Sequence, residues 1–150
     1  MRRKKVLLVA SPGGHFVQLS LLAEGLHNVD IAAACTYQRQ PSFMPAGEYE
    51  VLPDFNRDNL YKIFNVLFQC KRILQKIQPD LVVTTGAAPG LAMIFVARLL
   101  RIETVWIDSI ANSQKLSLSG RIAKFIGGRV LSQWQDVADK YNVRYEGRVV

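Results

Sequence analysis

Three short segments hold the residue types from which a reaction site could be built. The first is Ser11-Pro12-Gly13-Gly14-His15. Two adjacent glycines let backbone amides approach an anion, and an imidazole follows at once. The second, Thr84-Thr85-Gly86-Ala87-Ala88-Pro89-Gly90, is a glycine-rich turn whose small side chains admit a ligand to the backbone. The third, Trp106-Ile107-Asp108-Ser109-Ile110-Ala111-Asn112, presents a carboxylate, a hydroxyl and an amide in close succession. His15 and Asp108 are the candidate general bases, since either can take a proton from an attacking hydroxyl. Gly13, Gly14, Gly86, Ala87, Ala88, Pro89, Ser109 and Asn112 are the candidate substrate contacts. Each segment also has a purely structural reading. The glycines then serve tight strand-to-helix turns, His15 is an ordinary first-turn residue, and Asp108 and Ser109 cap the turn that follows them. The loops are neither a dinucleotide fingerprint, because GxGxxG is absent, nor a Walker A loop, because no GKS/T follows. No metal-ligand spacing occurs, so neither metal nor cofactor is expected. Cys35 and Cys70 read as reduced thiols in or near the core.

The elements that must position these segments follow from periodicity. Apolar runs predict strands near Lys5–Ala10, Asp30–Ala34, Tyr49–Leu52, Leu81–Thr84, Thr104–Ile107, Arg129–Leu131 and Arg144–Tyr145. Helical patterns fall between most of them, over His15–Leu26, Asp58–Ile77, Pro89–Leu100, Ser119–Phe125 and Gln135–Lys140. Strands alternating with helices imply an α/β fold, a Rossmann-like parallel sheet with helices on both faces, here as a single domain over residues 1–150. All three segments then leave strand C-termini, where open α/β sheets place their ligands. Residues 36–47, with Pro41 and Pro45, form the one long irregular connection.

Composition narrows the partners. The chain has 150 residues, 19 basic against 12 acidic, and a net charge of +7, which draws anionic partners. No RNP motif, zinc spacing or helix-turn-helix points to nucleic acid. Two features point to a membrane surface. One is the basic start Arg2-Arg3-Lys4-Lys5. The other is the helix Asp58–Ile77, whose apolar residues cover an arc of roughly 220°, against the roughly 100° stripe that a core-facing helix needs. Lys62, Arg72 and Lys76 occupy its remaining face and are the candidate membrane contacts. Alternatively, the extra apolar width packs against neighbouring helices or a partner. The run Val6–Ala10 is too short for a signal sequence or a spanning helix, so the expected location is cytoplasmic and peripheral.

Taken together, the Gly13-Gly14-His15 turn, the Gly86–Gly90 turn, Asp108-Ser109-Ile110-Ala111, Leu116-Ser117-Leu118-Ser119-Gly120 and Gln133-Trp134 resemble the bacterial PssD-type polysaccharide biosynthesis proteins. They also resemble the membrane-recruiting subunit of the two-part N-acetylglucosaminyltransferase of the dolichol pathway. A more distant likeness is to the N-terminal domain of the peptidoglycan N-acetylglucosaminyltransferase. The resemblance implies the N-terminal, acceptor-side half of a split GT-B glycosyltransferase at the inner face of the cell membrane. A separate chain would supply the donor-binding half and share the UDP-sugar. The acceptor would be a polyprenyl-diphosphate-linked saccharide, in exopolysaccharide or capsule synthesis. A second reading makes this chain a non-catalytic anchor and activator of a self-sufficient transferase. The sequence departs from the family pattern in three places: Ser11-Pro12 where Gly-Ser is usual, Asp108 where Glu is usual, and Asn112 where Arg is frequent. A two-domain transferase would also need a second domain beyond Val150, and without the hydrophobic anchor of the dolichol-pathway subunit, attachment is expected to be peripheral or through a partner.

Overall fold

A computed structural model describes residues 2–149. The elements run β1 (Lys4–Val9), α1 (Gly14–Glu24), β2 (Val29–Cys35), β3 (Glu48–Val51), a 3-10 turn (Arg57–Lys62), α2 (Ile63–Ile77), β4 (Leu81–Thr84), α3 (Ala87–Leu99), β5 (Glu103–Ile107), α4 (Leu118–Phe125), β6 (Arg129–Ser132), α5 (Gln135–Tyr141) and β7 (Arg144–Tyr145). The sheet has seven strands in the order β3-β2-β1-β4-β5-β6-β7. Every pairing is parallel. The chain winds outward from β1 to β3, then returns to pair β4 on the other side of β1. The order therefore reverses between β1 and β4, and open α/β sheets leave a crevice at the strand C-termini at such a point.

Alternation along the strands sends side chains to two separate cores. Leu7, Val9, Val82 and Trp106 pack under α2, α3 and α4. Val6, Leu8, Val83 and Ile107 pack with Phe16, Leu19 and Ala23 of α1. The helix α3 lies close on β4, because a Cβ on Gly90 would stand 2.2 Å from Thr84 Oγ1. Residues 36–47 fold over the start of α1: Met44 is buried, and Tyr37 and Phe43 meet the Phe16 ring edge-on at 5.6 and 5.8 Å between centroids.

One expected element changes, and two sets of basic residues have acidic partners. The continuous helix over Asp58–Ile77 is divided into a 3-10 turn and α2. Asn56 and Asn59 bond each other's backbone amides reciprocally, and Asn59 leaves helical geometry at φ −127° and ψ 42°. Such short polar side chains compete with the helix for backbone groups. The basic start is tied to the lower, N-terminal edge of the sheet: Arg2 pairs with Asp80 at 2.7 Å and Lys5 with Glu48 at 3.0 Å. The Lys5 amide, and then Arg2, hold the Asp80 carboxyl below its ordinary pKa. Arg72 and Lys76 both turn toward β3, where they pair with Glu50. Lys62 instead lies 5.9 Å from the Tyr61 ring centroid, on an exposed stretch.

The surplus apolar arc of α2 is neither wholly core nor wholly flanked by those lysines. Val66, Cys70, Ile73, Leu74 and Ile77 are buried, while Phe64 and Phe68 remain 81% and 64% exposed. Leu99 on α3 and Leu118 and Phe125 on α4, helices of the same side of the sheet, are exposed as well. Three helices together thus present an apolar outer face larger than a scatter of single residues. Among the described residues, no helix is long and apolar enough to cross a membrane.

Candidate functional site

The helices α1, α3 and α4 all begin at the upper edge of the sheet, directly after β1, β4 and the loop that follows β5. Each brings first-turn amides that no intrahelical carbonyl can satisfy, and a partial positive charge. Between them lies a cleft of about 300 Å³, lined by His15, Thr85, Gly86, Ala87, Asp108, Ser109, Asn112, Ser117 and Ser119, with Trp106 and Ala111. Residues from all three segments meet there although up to 97 positions separate them in the chain, from His15 to Asn112. Gly13, Gly14, Ala88 and Pro89 are not among the lining residues. Gly13 forms the N-cap of α1 at φ 92° and donates its amide to Tyr37 Oη at 3.3 Å. Pro89 is buried as the third residue of α3, where its missing N–H costs nothing.

The first two loops are locked together. His15 Nδ1 lies 2.9 Å from the Thr85 carbonyl, and Thr85 Oγ1 donates to the His15 carbonyl at 2.5 Å. A carbonyl only accepts, so the neutral ring carries its proton on Nδ1 and keeps the Nε2 lone pair available. Gly86 is required by this ring. It sits at φ 134°, and a Cβ there would stand 2.9 Å from His15 Cε1. The next residue, Ala87, is also left-handed at φ 71°, a conformation that costs a non-glycine residue energy. The two positions give opposite expectations. Gly86→Ala should lower stability by about 1–3 kcal/mol and displace the His15 ring. Ala87→Gly should leave stability unchanged or raise it by up to about 1 kcal/mol. Thermal melts of both variants check this pair, and equal losses would show that the positive φ angles are not limiting.

Asp108 stands on the opposite wall and is 2% exposed. Its Oδ1 accepts from Trp106 Nε1 at 3.0 Å and Ser117 Oγ at 2.5 Å, and its Oδ2 from Asn112 Nδ2 and the Ser117 amide, both at 3.0 Å. Four donors occupy the acceptor capacity of one carboxylate. To take a proton from a substrate, Asp108 would first have to release one of them. Ser117 in turn caps α4, accepting from the Gly120 amide at 2.9 Å. Gly120 is packed between these groups, with a would-be Cβ at 3.0 Å from Asp108 Oδ1 and 3.1 Å from Trp106 Nε1.

Two residues to which periodicity gives no role hold this loop from behind. Gln133, buried at the end of β6, donates to Gln18 Oε1 at 2.8 Å and to the Asp108 carbonyl at 2.9 Å, and accepts from the Val149 amide at 2.9 Å. Trp134 Nε1 donates to the Ile110 carbonyl at 2.7 Å, and Arg148 lies 4.0 Å above its ring. The Gln133-Trp134 pair of the resemblance is the one signal in the sequence that marks them. The cysteines take no part. Both are buried; burial raises the Cys35 thiol and pushes Cys70 up to about 12, so neither is a nucleophile near neutral pH. Among the described residues no cluster of acidic, histidine and cysteine side chains could hold a metal ion.

Comparison with known proteins identifies the family and the fold. A family profile described as "Oligosaccharide biosynthesis protein Alg14 like" matches residues 57–149. The chain is 31% identical over 94 residues to a UDP-N-acetylglucosamine transferase subunit ALG14 of Eremothecium gossypii, covering 58% of this chain and 42% of that one. The subunits of the same name from Yarrowia lipolytica and Mus musculus are 34% and 31% identical over 86 and 85 residues, 53% and 52% of this chain and 40% and 39% of theirs. The matches thus span about two-fifths of these relatives' length. Among solved structures, MurG of Acinetobacter baumannii superposes with a TM-score of 0.72 at 17% identity, covering 89% of this chain and 43% of that one. A UDP-N-acetylglucosamine 2-epimerase from Rickettsia bellii gives 0.76 at 12% identity, over 99% and 46%. Likeness at these identities is one of fold: the chain has the Rossmann-like fold found in one part of each.

Proposed function

The chain belongs to the Alg14-like family of oligosaccharide biosynthesis proteins, and on that premise we propose that it is the acceptor-side half of a two-chain glycosyltransferase working at a membrane surface. The reaction is transfer of a sugar from a UDP-sugar to a hydroxyl of a polyprenyl-diphosphate-linked saccharide. A separate GT-B half binds most of the donor. Exopolysaccharide or capsule synthesis at the inner face of the cell membrane is the setting we favour. The observation that carries the reading is the switch-point cleft itself. It gathers an imidazole with an open Nε2, hydroxyls of Ser109 and Ser119, and the starts of three helices whose dipoles favour a diphosphate. In this site His15 takes the proton of the attacking hydroxyl. Asp108 is a positioning residue, holding Ser117 and Asn112 in the cleft wall.

Co-expression with a candidate donor-binding chain, followed by transfer assays with a panel of UDP-sugars, tests this function. Activity is expected only from the assembled pair, and turnover by this chain alone would overturn the split. The non-catalytic reading draws its support from the saturated Asp108 carboxylate, which leaves His15 as the deciding residue.

Membrane contact is assigned to the apolar outer face. Phe64, Phe68 and Phe125 reach 81%, 64% and 91% exposure there, and Lys62 and Lys71 are exposed near them. Phe64→Asp with Phe68→Asp should reduce sedimentation with anionic liposomes at least about tenfold, since each removes an apolar side chain worth about 1.5–3 kcal/mol on full burial. Lys76→Glu should matter less, because Lys76 is already paired with Glu50. Equal effects of the two changes would return the contact to the charged side of α2.

A further inference from the structure

We infer that the site takes an amphiphile in two connected parts, with a hydrocarbon slot between α2, α3 and α4 receiving the first stretch of the acceptor's prenyl chain. This rests on the reading of the polar cleft as the seat of the diphosphate head. The slot has a volume of about 300 Å³ and is lined wholly by apolar side chains, among them Phe55, Leu67, Ala88, Leu91, Phe95 and Ile122. That size lies at the small end of ligand sites, roughly 300–1,000 Å³, so it admits a short length of chain and leaves the remainder outside.

The occupant is chosen by how slot and cleft are joined. They share two walls. On α3, Ala87 lines the polar cleft while Ala88 and Leu91 line the slot. On α4, Ser119 lines the cleft while Ile122, on the same helical face one turn further, lines the slot. A ligand leaving the cleft along these two helices therefore passes directly from hydrogen-bonding groups to hydrocarbon. At the outer edge, Phe95 and Ile122 are each 40% exposed, on the same side of the sheet as the exposed Phe68 and Phe125. The slot thus opens on the face assigned to the membrane and is continuous with it. An anionic head attached to a flexible apolar chain matches this sequence of surfaces. A peptide helix would bring backbone and polar side chains to the cleft end without the negative charge that the helix starts favour.

The test uses the full chain, labelled with carbon-13 at Ile, Leu and Ala methyls and nitrogen-15 at amides. It is titrated with farnesyl diphosphate and, separately, with inorganic diphosphate. Farnesyl diphosphate is expected to shift the Ile122, Leu91 and Ala88 methyls together with the Gly86 and Ser119 amides, with one common Kd. Inorganic diphosphate should shift the amides alone and bind at least about tenfold more weakly. Ala88→Leu, which fills the slot, should abolish the methyl shifts and the tenfold advantage but keep the response to inorganic diphosphate. Shifts in the cleft without shifts in the slot would overturn the slot while leaving the cleft reading intact. Methyl shifts without amide shifts would overturn the single two-part ligand. No response to either probe would overturn both assignments, and displacement of bound farnesyl diphosphate by the donor-binding chain would give the slot to a protein partner instead. The transferase reading itself stands or falls separately, on the transfer assay of the assembled pair.

Discussion

His15→Ala should lower kcat of the assembled transferase by about 10²–10⁴-fold, the usual contribution of a general base. The ring is the one titratable side chain of the cleft with a ring atom left open toward a ligand. Nδ1 is committed to the Thr85 carbonyl at 2.9 Å, which fixes the tautomer and leaves Nε2 to accept a proton. The substitution deletes one hydrogen bond at a half-buried position, a loss of about 0.5–1.5 kcal/mol. Tm should therefore fall by only about 2–5 °C. His15→Gln keeps a polar group but not the basicity, and should remain nearly as slow. A KM increase with unchanged kcat would make His15 a contact to the acceptor rather than its base. Full activity in both variants would move the chemistry to the partner and leave this chain an anchor and platform.

Asp108→Ala should instead unfold the site. Four donors lose their acceptor at once, and two of them, Trp106 Nε1 and the Ser117 hydroxyl, belong to groups that build the core and the start of α4. Removing a fully engaged buried carboxylate is expected to cost about 3–5 kcal/mol, on the order of 10 °C in Tm. Asp108→Asn retains the size and one acceptor oxygen but turns an amide N–H₂ toward existing donors, so an intermediate loss is expected. The local sequence suggests a different result for Asp108→Asn, reduced kcat with stability almost unchanged, because a carboxylate at a strand end reads as free to act. Differential scanning calorimetry of the isolated chain separates the two. A Tm within about 2 °C of wild type for Asp108→Ala would show that the hydrogen bonds around it contribute little. Asp108 would then be available as a base after all.

The alternation of strands and helices was legible because each element satisfies a local period. Leu81–Thr84 is a short apolar run between polar residues, and the structure has β4 at those residues. A last strand is also expected near Arg144–Tyr145, and the structure has β7 there, with both residues exposed. The apolar pattern runs a helix through residues 58–77, but it cannot register two asparagines bonding each other's backbone, which turn its start into a 3-10 turn. The pairing of Arg72 and Lys76 with Glu50 was invisible for another reason. Glu50 belongs to β3, and only the crossover from β3 to β4 through α2 lays that helix beside it.

The candidate site divides along the same line. The residue types at the three strand ends, and the family-specific Leu116–Gly120 and Gln133-Trp134 pieces, were set by the sequence, because turn chemistry and motif spacing are local properties. Which of those residues stay free to react was decided by the tertiary structure. In the sequence both His15 and Asp108 are titratable side chains after a strand, and the family's carboxylate at the second position favours Asp108 as the base. In the fold, Thr85 occupies one imidazole nitrogen and leaves the other open, whereas Trp106, Asn112 and Ser117 converge on both oxygens of Asp108. The surplus apolar width of α2 is legible in its periodicity, whereas the exposed apolar side chains of α3 and α4 come to lie beside it only through the packing of the three helices. Hydrogen-bond saturation and surface continuity depend on distances between residues far apart in the chain, and those distances are set by the order in which the strands pair.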